Sequence, residues 1–340
     1  MYLLELAGTD DAFAAYETES AASGVSVIGG GLATARELTD LVDQLALTHR
    51  VSDLLGTAAP TIEAAESCLD AASIDRTGSV AVRARVVRGS IDVSTRAVER
   101  ALGSILVDRG FTVDLEVPDH ELRVVFAGPP DPDTADAVEV DPAASEGVCA
   151  LGWLTHEPDR TFTERAPTDR PFFQPGSMDP VLARALVNVA GARPGATVLD
   201  PMCGTGGILI EAGLVGARVL GVDALEKMAT GTRENLATLV GEDFDVCRGD
   251  ATSLPFKDDA VDSVVFDAPY GRQTKITGET LESLVGDALA EARRLAPWAV
   301  IVGDRPWDDV AERAGWQVVA RFERRVHRSL DRFVLVLERA

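Results

Sequence analysis

The chain has 340 residues, 46% of them hydrophobic, and a formal net charge of −23. Its length predicts two domains, each able to bury a core, and its apolar content excludes wholesale disorder. No stretch approaches the roughly 18 apolar residues of a membrane span, and Met1-Tyr2-Leu3-Leu4-Glu5 lacks a basic flank, so a soluble, cytoplasmic protein with no membrane partner is expected.

In chain order, residues 2–6 and 24–28 read as strands, Gly29-Gly30-Gly31 as a break and residues 35–44 as a helix, forming a small α/β part over residues 1–50. Residues 79–87 alternate Arg with small apolar side chains as a strand does, and residues 95–107 have helical spacing. Residues 111–117 and 121–126 read as strands around Pro118-Asp119-His120, which gives an α+β module over residues 51–150. Pro129, Pro130, Pro132 and Pro142 make residues 128–141 a loop, and a linker is expected over residues 151–175. Residues 176–340 alternate more regularly, with strands at 197–200, 218–223, 245–248, 261–267, 299–302, 317–325 and 332–337. Helices fall at 207–214, 229–240, 281–295 and 308–314. This order predicts a doubly wound, mostly parallel seven-stranded sheet that binds ligands at the strands' carboxyl ends.

Charge is unevenly spread. Three lysines, Lys227, Lys257 and Lys275, stand against 29 arginines and 55 acids. Such an acidic, lysine-poor surface fits a protein working at molar salt, where the Debye length is about 3 Å, or an ordinary acidic surface that favours solubility. Within it, residues 81–128 balance seven Arg against seven acids and residues 321–340 are net +3. These two segments are candidates for approaching phosphates, although solvated Arg on strand faces would look the same. Cys68, Cys149, Cys203 and Cys247 are far apart, with no Cys-x-x-Cys pair and no His at ligand spacing, which predicts reduced thiols and no metal site.

Two motifs carry chemistry. Asp200-Pro201-Met202-Cys203-Gly204-Thr205-Gly206-Gly207 follows the first predicted strand of the second half, where glycines permit close backbone approach and the next helix's N-terminus favours an anion. Asp223 ends the following strand, at the place for an acid that holds a ribose diol. Asp250 ends the third strand region, where it can accept from an adenine amine. A nicotinamide domain shares the glycines and the ribose acid, but the loop is not Gly-x-Gly-x-x-Gly, and its acidic opening fits S-adenosylmethionine better. Asp267-Ala268-Pro269-Tyr270 follows the apolar run Val264-Val265-Phe266. Its carboxylate and a backbone carbonyl can each take one hydrogen of a planar amine while the ring stacks on the base, unless it is only a proline-containing turn.

With Arg170-Pro-Phe-Phe-Gln-Pro-Gly-Ser177 ahead of these motifs, the chain resembles the THUMP-containing amino-methyltransferases, in particular the branch that methylates guanine N2 at position 10 of tRNA. The likeness covers residues 165–340 well, while residues 50–127 match the THUMP module in element order and position. It implies a C-terminal Rossmann-like class I methyltransferase domain over residues 176–340, preceded by a ferredoxin-like α/β part over 1–50 and a THUMP RNA-binding domain over 51–150. S-adenosylmethionine would be the cofactor, tRNA the partner, and the protein a monomer. Donor contacts would fall on Phe173, Gly176, Ser177, Asp200, Pro201, Cys203, Gly204, Thr205, Gly206, Asp223, Asp250 and Ala251, although Phe172 and Phe173 also suit a core and Cys203 simple packing. The catalytic turn would be Asp267, Ala268, Pro269 and Tyr270, and Arg83, Arg85, Arg88, Arg272, Arg325 and Arg328 are candidate RNA contacts. Ala268 departs from the family, which has proline there, so a looser turn is expected. Other readings are guanine-N2 methylation at another tRNA or rRNA site, adenine-N6 methylation of DNA, and an RNA-binding protein with an inactive donor domain. A DNA enzyme would not need the N-terminal module, and the intact loop with Asp223 and Asp250 argues against inactivity.

Overall fold

Short runs of Val, Leu and Ile build one large sheet in each of the two units, Met1–Asp159 and Arg160–Ala340, into which the chain divides, and the first unit adds a two-stranded ribbon. The computed structural model describes residues 1–89, 91–270, 278–327 and 330–339.

The first unit contains β1 (Tyr2–Leu6), α1 (Asp11–Thr18), β2 (Ala22–Ser23), β3 (Ser26–Gly29), β4 (Leu32–Ala35), β5 (Glu37–Leu38), β6 (Thr48–Ala58) and α2 (Ile62–Ala71). It continues with β7 (Ser79–Val86), α3 (Thr95–Asp108), β8 (Thr112–Val113), β9 (His120–Ala127) and β10 (Val148–His156). Eight strands form one sheet in the order β3-β4-β1-β6-β10-β9-β7-β8. The expected boundary at residue 50 therefore falls inside β6, which pairs with both β1 and β10. Residues 151–156, expected in a linker, belong to a central strand of this sheet.

Two local expectations give way to hydrogen bonding. The helix expected over residues 35–44 is absent, because β4 pairs with both β1 and β3, β5 pairs with β2, and only a 3-10 turn, Val42–Gln44, follows. Helix α1 starts earlier, capped by Asp10, whose carboxylate accepts the Phe13 N–H at 2.9 Å. The strand expected over residues 111–117 stops at Val113, since Asp114 Oδ1 accepts the N–H groups of Glu116 and Val117 at 2.9 and 3.1 Å and turns the chain.

The second unit contains α4 (Pro180–Val189), β11 (Thr197–Asp200), α5 (Gly207–Leu214), β12 (Arg218–Asp223), α6 (Glu226–Leu239), β13 (Phe244–Arg248) and β14 (Ser263–Asp267). There follow α7 (Gly278–Leu295), β15 (Trp298–Gly303), α8 (Asp308–Arg313), β16 (Trp316–His327) and β17 (Leu330–Arg339). The expected seven-stranded sheet is present in the order β13-β12-β11-β14-β15-β17-β16, parallel through β15 and antiparallel at β17 and β16. The strands read as continuous apolar runs because helices cover both faces of a doubly wound sheet. Residues 160–175 are packed into this unit. Arg165 Nε donates to the fully buried Glu211 of α5 at 2.7 Å, and Arg184 of α4 reaches the same carboxylate at 2.9 Å. Among the described residues no helix is long and apolar enough to cross a membrane.

In the first unit, Arg123 of β9 grips Glu5 of β1 through two parallel bonds of 2.8 and 2.9 Å, and both side chains are buried. Removing Glu5 takes away a buried counter-charge and leaves Arg123 with Glu121, 3.1 Å away, as a carboxylate partner. Glu5→Ala should therefore lower the local opening free energy by about 1–3 kcal/mol. Amide hydrogen exchange should quicken in β1 and β9 while β11 and β14 keep their protection, and unchanged exchange in β1 would refute this role.

Candidate active site

Three neighbouring parallel strands each end in an aspartate: β11 at Asp200, β12 at Asp223 and β14 at Asp267. Parallel pairing brings all three carboxylates to one sheet edge, around the β11–β14 junction where the strand order reverses. Burial pushes Asp200 well above the usual carboxylate range, and repulsion from Asp223 and Asp267 pushes it further. Its main compensation is the Met202 N–H, 3.0 Å away. Burial also raises Asp223, against the pull of the Leu225 and Gly204 N–H groups at 2.8 and 2.9 Å. Asp267 is pushed up to about 6, again chiefly by burial, with Arg332 and the Tyr270 hydroxyl opposing the shift and Asp304 adding to it.

The loop between β11 and α5 folds tightly onto its neighbours. Cys203 N–H donates to the Val222 carbonyl at 2.9 Å, and Gly206 N–H to the Cys203 carbonyl at 2.7 Å. Gly204 and Gly206 have φ of +53° and +78°, in the left-handed region that favours glycine. A Cβ at Gly206 would lie 2.7 Å from Thr232 Cγ2, so α6 closes on the loop there; the Thr232 hydroxyl donates to the Gly204 carbonyl at 2.8 Å. At Gly204, by contrast, a Cβ would meet nothing nearer than the Met202 carbonyl at 4.0 Å. Pro201, Cys203 and Thr205 are buried beneath the loop.

Asn235 of α6 ties this loop to the segment before α4. Its amide donates to the carbonyls of Thr205 and Phe172 at 2.9 and 2.8 Å, and its oxygen accepts the Phe172 N–H at 2.8 Å. Ser177 Oγ adds a second tie, 2.9 Å from Thr205 Oγ1. The neighbouring phenylalanines separate: Phe172 fills the space over Gly231 of α6, whereas Phe173 is 39% exposed. Gly176 turns with φ of +90°. Asp250 lies exposed beyond β13, with Oδ1 accepting the Thr252 N–H and hydroxyl at 2.9 and 2.8 Å, which hold its carboxyl below the usual range. Ala251 beside it is buried.

At the end of β14, Ala268 is buried and its N–H donates to the Val302 carbonyl of β15 at 2.7 Å. A proline could not make that bond. The turn expected to be looser is thus pinned to the sheet. The Tyr270 hydroxyl donates to Asp267 Oδ1 at 2.9 Å and accepts from Arg332 Nε at 3.2 Å, and Arg332 Nη2 lies 3.9 Å from Asp267 Oδ2.

Sequence reading missed Thr232, Asn235 and Arg332. Asn235 carried a signal, being a polar residue at helical spacing from the buried Gly231 and Thr232. Arg332 carried only its place at the head of an apolar strand. Of the candidate RNA contacts, Arg85 and Arg325 are exposed. Arg83 donates to the Leu115 carbonyl at 2.6 Å, and Arg88 is committed to buried Asp11 at 2.5 Å and to the Gly8 carbonyl. Arg88 thus holds its own unit together. Arg272 and Arg328 lie outside the described residues.

Partly dry carboxylates that repel one another are complementary to a cation. Each oxygen of Asp223 accepts one N–H, which leaves a lone pair on each for a diol. The open space at Gly204 lets a ligand approach the backbone. These features fit a ligand that carries a ribose and a positive charge.

A family model described as an RMKL-like methyltransferase domain matches residues 167–333. The tRNA (guanine(10)-N2)-dimethyltransferase of Methanothermobacter thermautotrophicus is 38% identical over 307 residues, which cover 88% of this chain and 84% of that protein. Its namesake from Pyrococcus abyssi is 30% identical, covering 89% and 87%. Among solved structures, TrmN from Thermus thermophilus matches with a TM-score of 0.52 and 25% identity, covering 100% of this chain and 99% of that one.

Ala268→Pro should destabilise this protein by roughly 1–3 kcal/mol, the cost of leaving the Val302 carbonyl unpaired. Three of the four tryptophans, Trp298, Trp307 and Trp316, lie in the second unit, so unfolding followed by their fluorescence reads the change. A variant at least as stable as the parent would contradict it.

Proposed function

We infer the reaction from the premise that this chain belongs to the tRNA (guanine(10)-N2)-dimethyltransferase family. The chain is a methyltransferase that modifies the exocyclic N2 of guanosine in tRNA. We assign it S-adenosylmethionine as donor, guanosine 10 as target, and N2-methylguanosine followed by N2,N2-dimethylguanosine as products. The observation that carries this reading is the edge where Asp200, Asp223 and Asp267 meet beside the Asp267-Ala268-Pro269-Tyr270 turn.

The donor fits the residues present. Asp223 would hold the ribose diol through its free lone pairs, and Asp250 with Ala251 the adenine. The segment Phe173–Gly176–Ser177 and the loop 200–206 would enclose the amino-acid end. When bound, S-adenosylmethionine supplies the methyl carbon, whose bond to sulfur breaks with its electron pair as guanine N2 bonds to that carbon. Asp267 accepts one N2 hydrogen, directs the lone pair away from the ring's conjugation, and takes the proton that N2 sheds. The Ala268 carbonyl takes the second hydrogen, and the Tyr270 ring stacks on the base once it has left its own stack. No covalent enzyme intermediate is needed, so positioning supplies most of the rate. The part of the first unit from β6 to β10 is assigned as a THUMP module that recognises folded RNA by shape, and Arg85 there and Arg325 in the second unit are exposed candidate phosphate contacts. The acid-rich, lysine-poor composition suits a cytoplasm rich in salt.

Asp267→Asn should reduce transfer to unmodified tRNA by ~10³-fold or more while donor affinity stays within a few-fold. Labelled donor in molar KCl, with mass spectrometry of the nucleoside, is the measurement; N6-methyladenosine, or a fully active variant, would overturn the assignment. For the parent enzyme, kcat/KM should fall as pH drops below about 6, where Asp267 gains its proton and can no longer accept from the amine. A cationic donor favours the ionised carboxylate, so the acid limb of kcat should lie at lower pH than that of kcat/KM. A limb displaced the other way would contradict the electrostatic role.

A further inference from the structure

We propose that Arg332 is a positioning residue for Asp267: its guanidinium grips the Tyr270 hydroxyl and flanks the carboxylate, fixing which oxygen faces the acceptor amine. The assignment of Asp267 to the amine rests on the function proposed above; the geometry does not.

β17 runs antiparallel to β15, so its beginning lies at the carboxyl edge where β11, β12 and β14 end. Arg332 sits near that beginning and is buried. Its Nε donates to the Tyr270 hydroxyl at 3.2 Å, and that hydroxyl donates its proton to Asp267 Oδ1 at 2.9 Å. Arg332 Nη2 stands 3.9 Å from Asp267 Oδ2, too far for a hydrogen bond but close enough for attraction in a dry site. Oδ1 is thereby occupied and oriented, and Oδ2 keeps its lone pairs for another donor. Because the tyrosine hydroxyl has one proton, accepting from Arg332 commits that proton to Asp267. The arginine thus sets the direction of the relay.

The charges facing Asp267 make the arginine necessary. Asp304, beyond β15, and Asp200, at the end of β11, both repel its carboxylate, and Asp304 is itself paired with Arg305 at 3.0 Å. Among the described residues, Arg332 is the cation that acts on Asp267. A bare arginine seeking phosphate would be exposed; Arg332 is less exposed than Asp267, with side-chain values of 8% and 24%.

The test compares the parent with Arg332→Met, Arg332→Lys and Tyr270→Phe in molar KCl. Carboxyl-labelled aspartate followed by ¹³C NMR, with the Asp267 signal identified by its loss in Asp267→Asn, reads the carboxylate without any substrate. The Asp267 midpoint, near 6 in the parent, should move upward by about one pH unit or more in Arg332→Met and partly return in Arg332→Lys. Tyr270→Phe should also raise it. An unmoved midpoint in Arg332→Met with a folded spectrum would overturn the proposal, whatever the enzyme methylates. In single-turnover transfer to unmodified tRNA, Arg332→Met should be ~10²-fold slower at neutral pH, with its acid limb displaced upward and tRNA affinity nearly unchanged. Loss of tRNA affinity with an undisplaced limb would instead make Arg332 an RNA contact. A moved NMR midpoint in a protein whose parent form methylates no guanine would uphold the coupling and refute the function.

Discussion

Ending three adjacent parallel strands in aspartate forces like charges together where water is partly excluded, and much of the second unit is arranged around that constraint. Backbone N–H groups at Met202, Gly204 and Leu225 face Asp200 and Asp223, and loops able to aim them there need glycine at 204 and 206. Asp267 is handled differently, by a side-chain relay from an antiparallel strand. The residual imbalance suits a positively charged ligand, and the same imbalance keeps Asp267 close to its titration point at neutral pH. A group balanced in this way responds to small changes in its surroundings. For the proposed reaction, catalysis and stability therefore pull in opposite directions at this edge.

The second unit was readable because its signals are local. Val264-Val265-Phe266 and Ala299-Val300-Ile301-Val302 are unbroken apolar runs, and Gly207–Leu214 starts and stops where glycine loops dictate. The first unit was harder to read, since its strands are stabilised by partners far along the chain: β6 pairs with β10 across roughly ninety residues, and β6 and β10 both shift register at bulges that break the two-residue alternation. The helix expected over residues 35–44 lost to strand pairing of β4 and β5 with β1, β3 and β2 earlier in the same unit. At the site, the aspartates and glycines stood out by type and spacing. Arg332 did not, and helical spacing alone could not give Asn235 its role, because their partners Tyr270 and Phe172 lie 62 and 63 residues away.

Arginine content also needed the structure to interpret. A charge count alone suggests phosphate contacts, yet Arg88, Arg123, Arg165 and Arg184 are turned inward onto Asp11, Glu5 and Glu211. A guanidinium can bond a buried carboxylate with two parallel N–H groups, which an ammonium cannot do. Part of the preference for arginine over lysine in this chain therefore serves the cores rather than the surface, and the local neutrality of residues 81–128 owes something to these internal pairs.

The placement of Arg332 on β17 bears on how the enzyme comes into being. As the chain leaves the ribosome, the loop at 200–206 and the strands β11, β12 and β14 emerge well before β17. In the proposed reaction, the residues assigned to the donor would thus be made before the arginine that orients the turn assigned to the amine. Until the antiparallel strand docks, Asp267 would lack its arginine, so a partly synthesised chain would carry out the proposed transfer more slowly than the finished one.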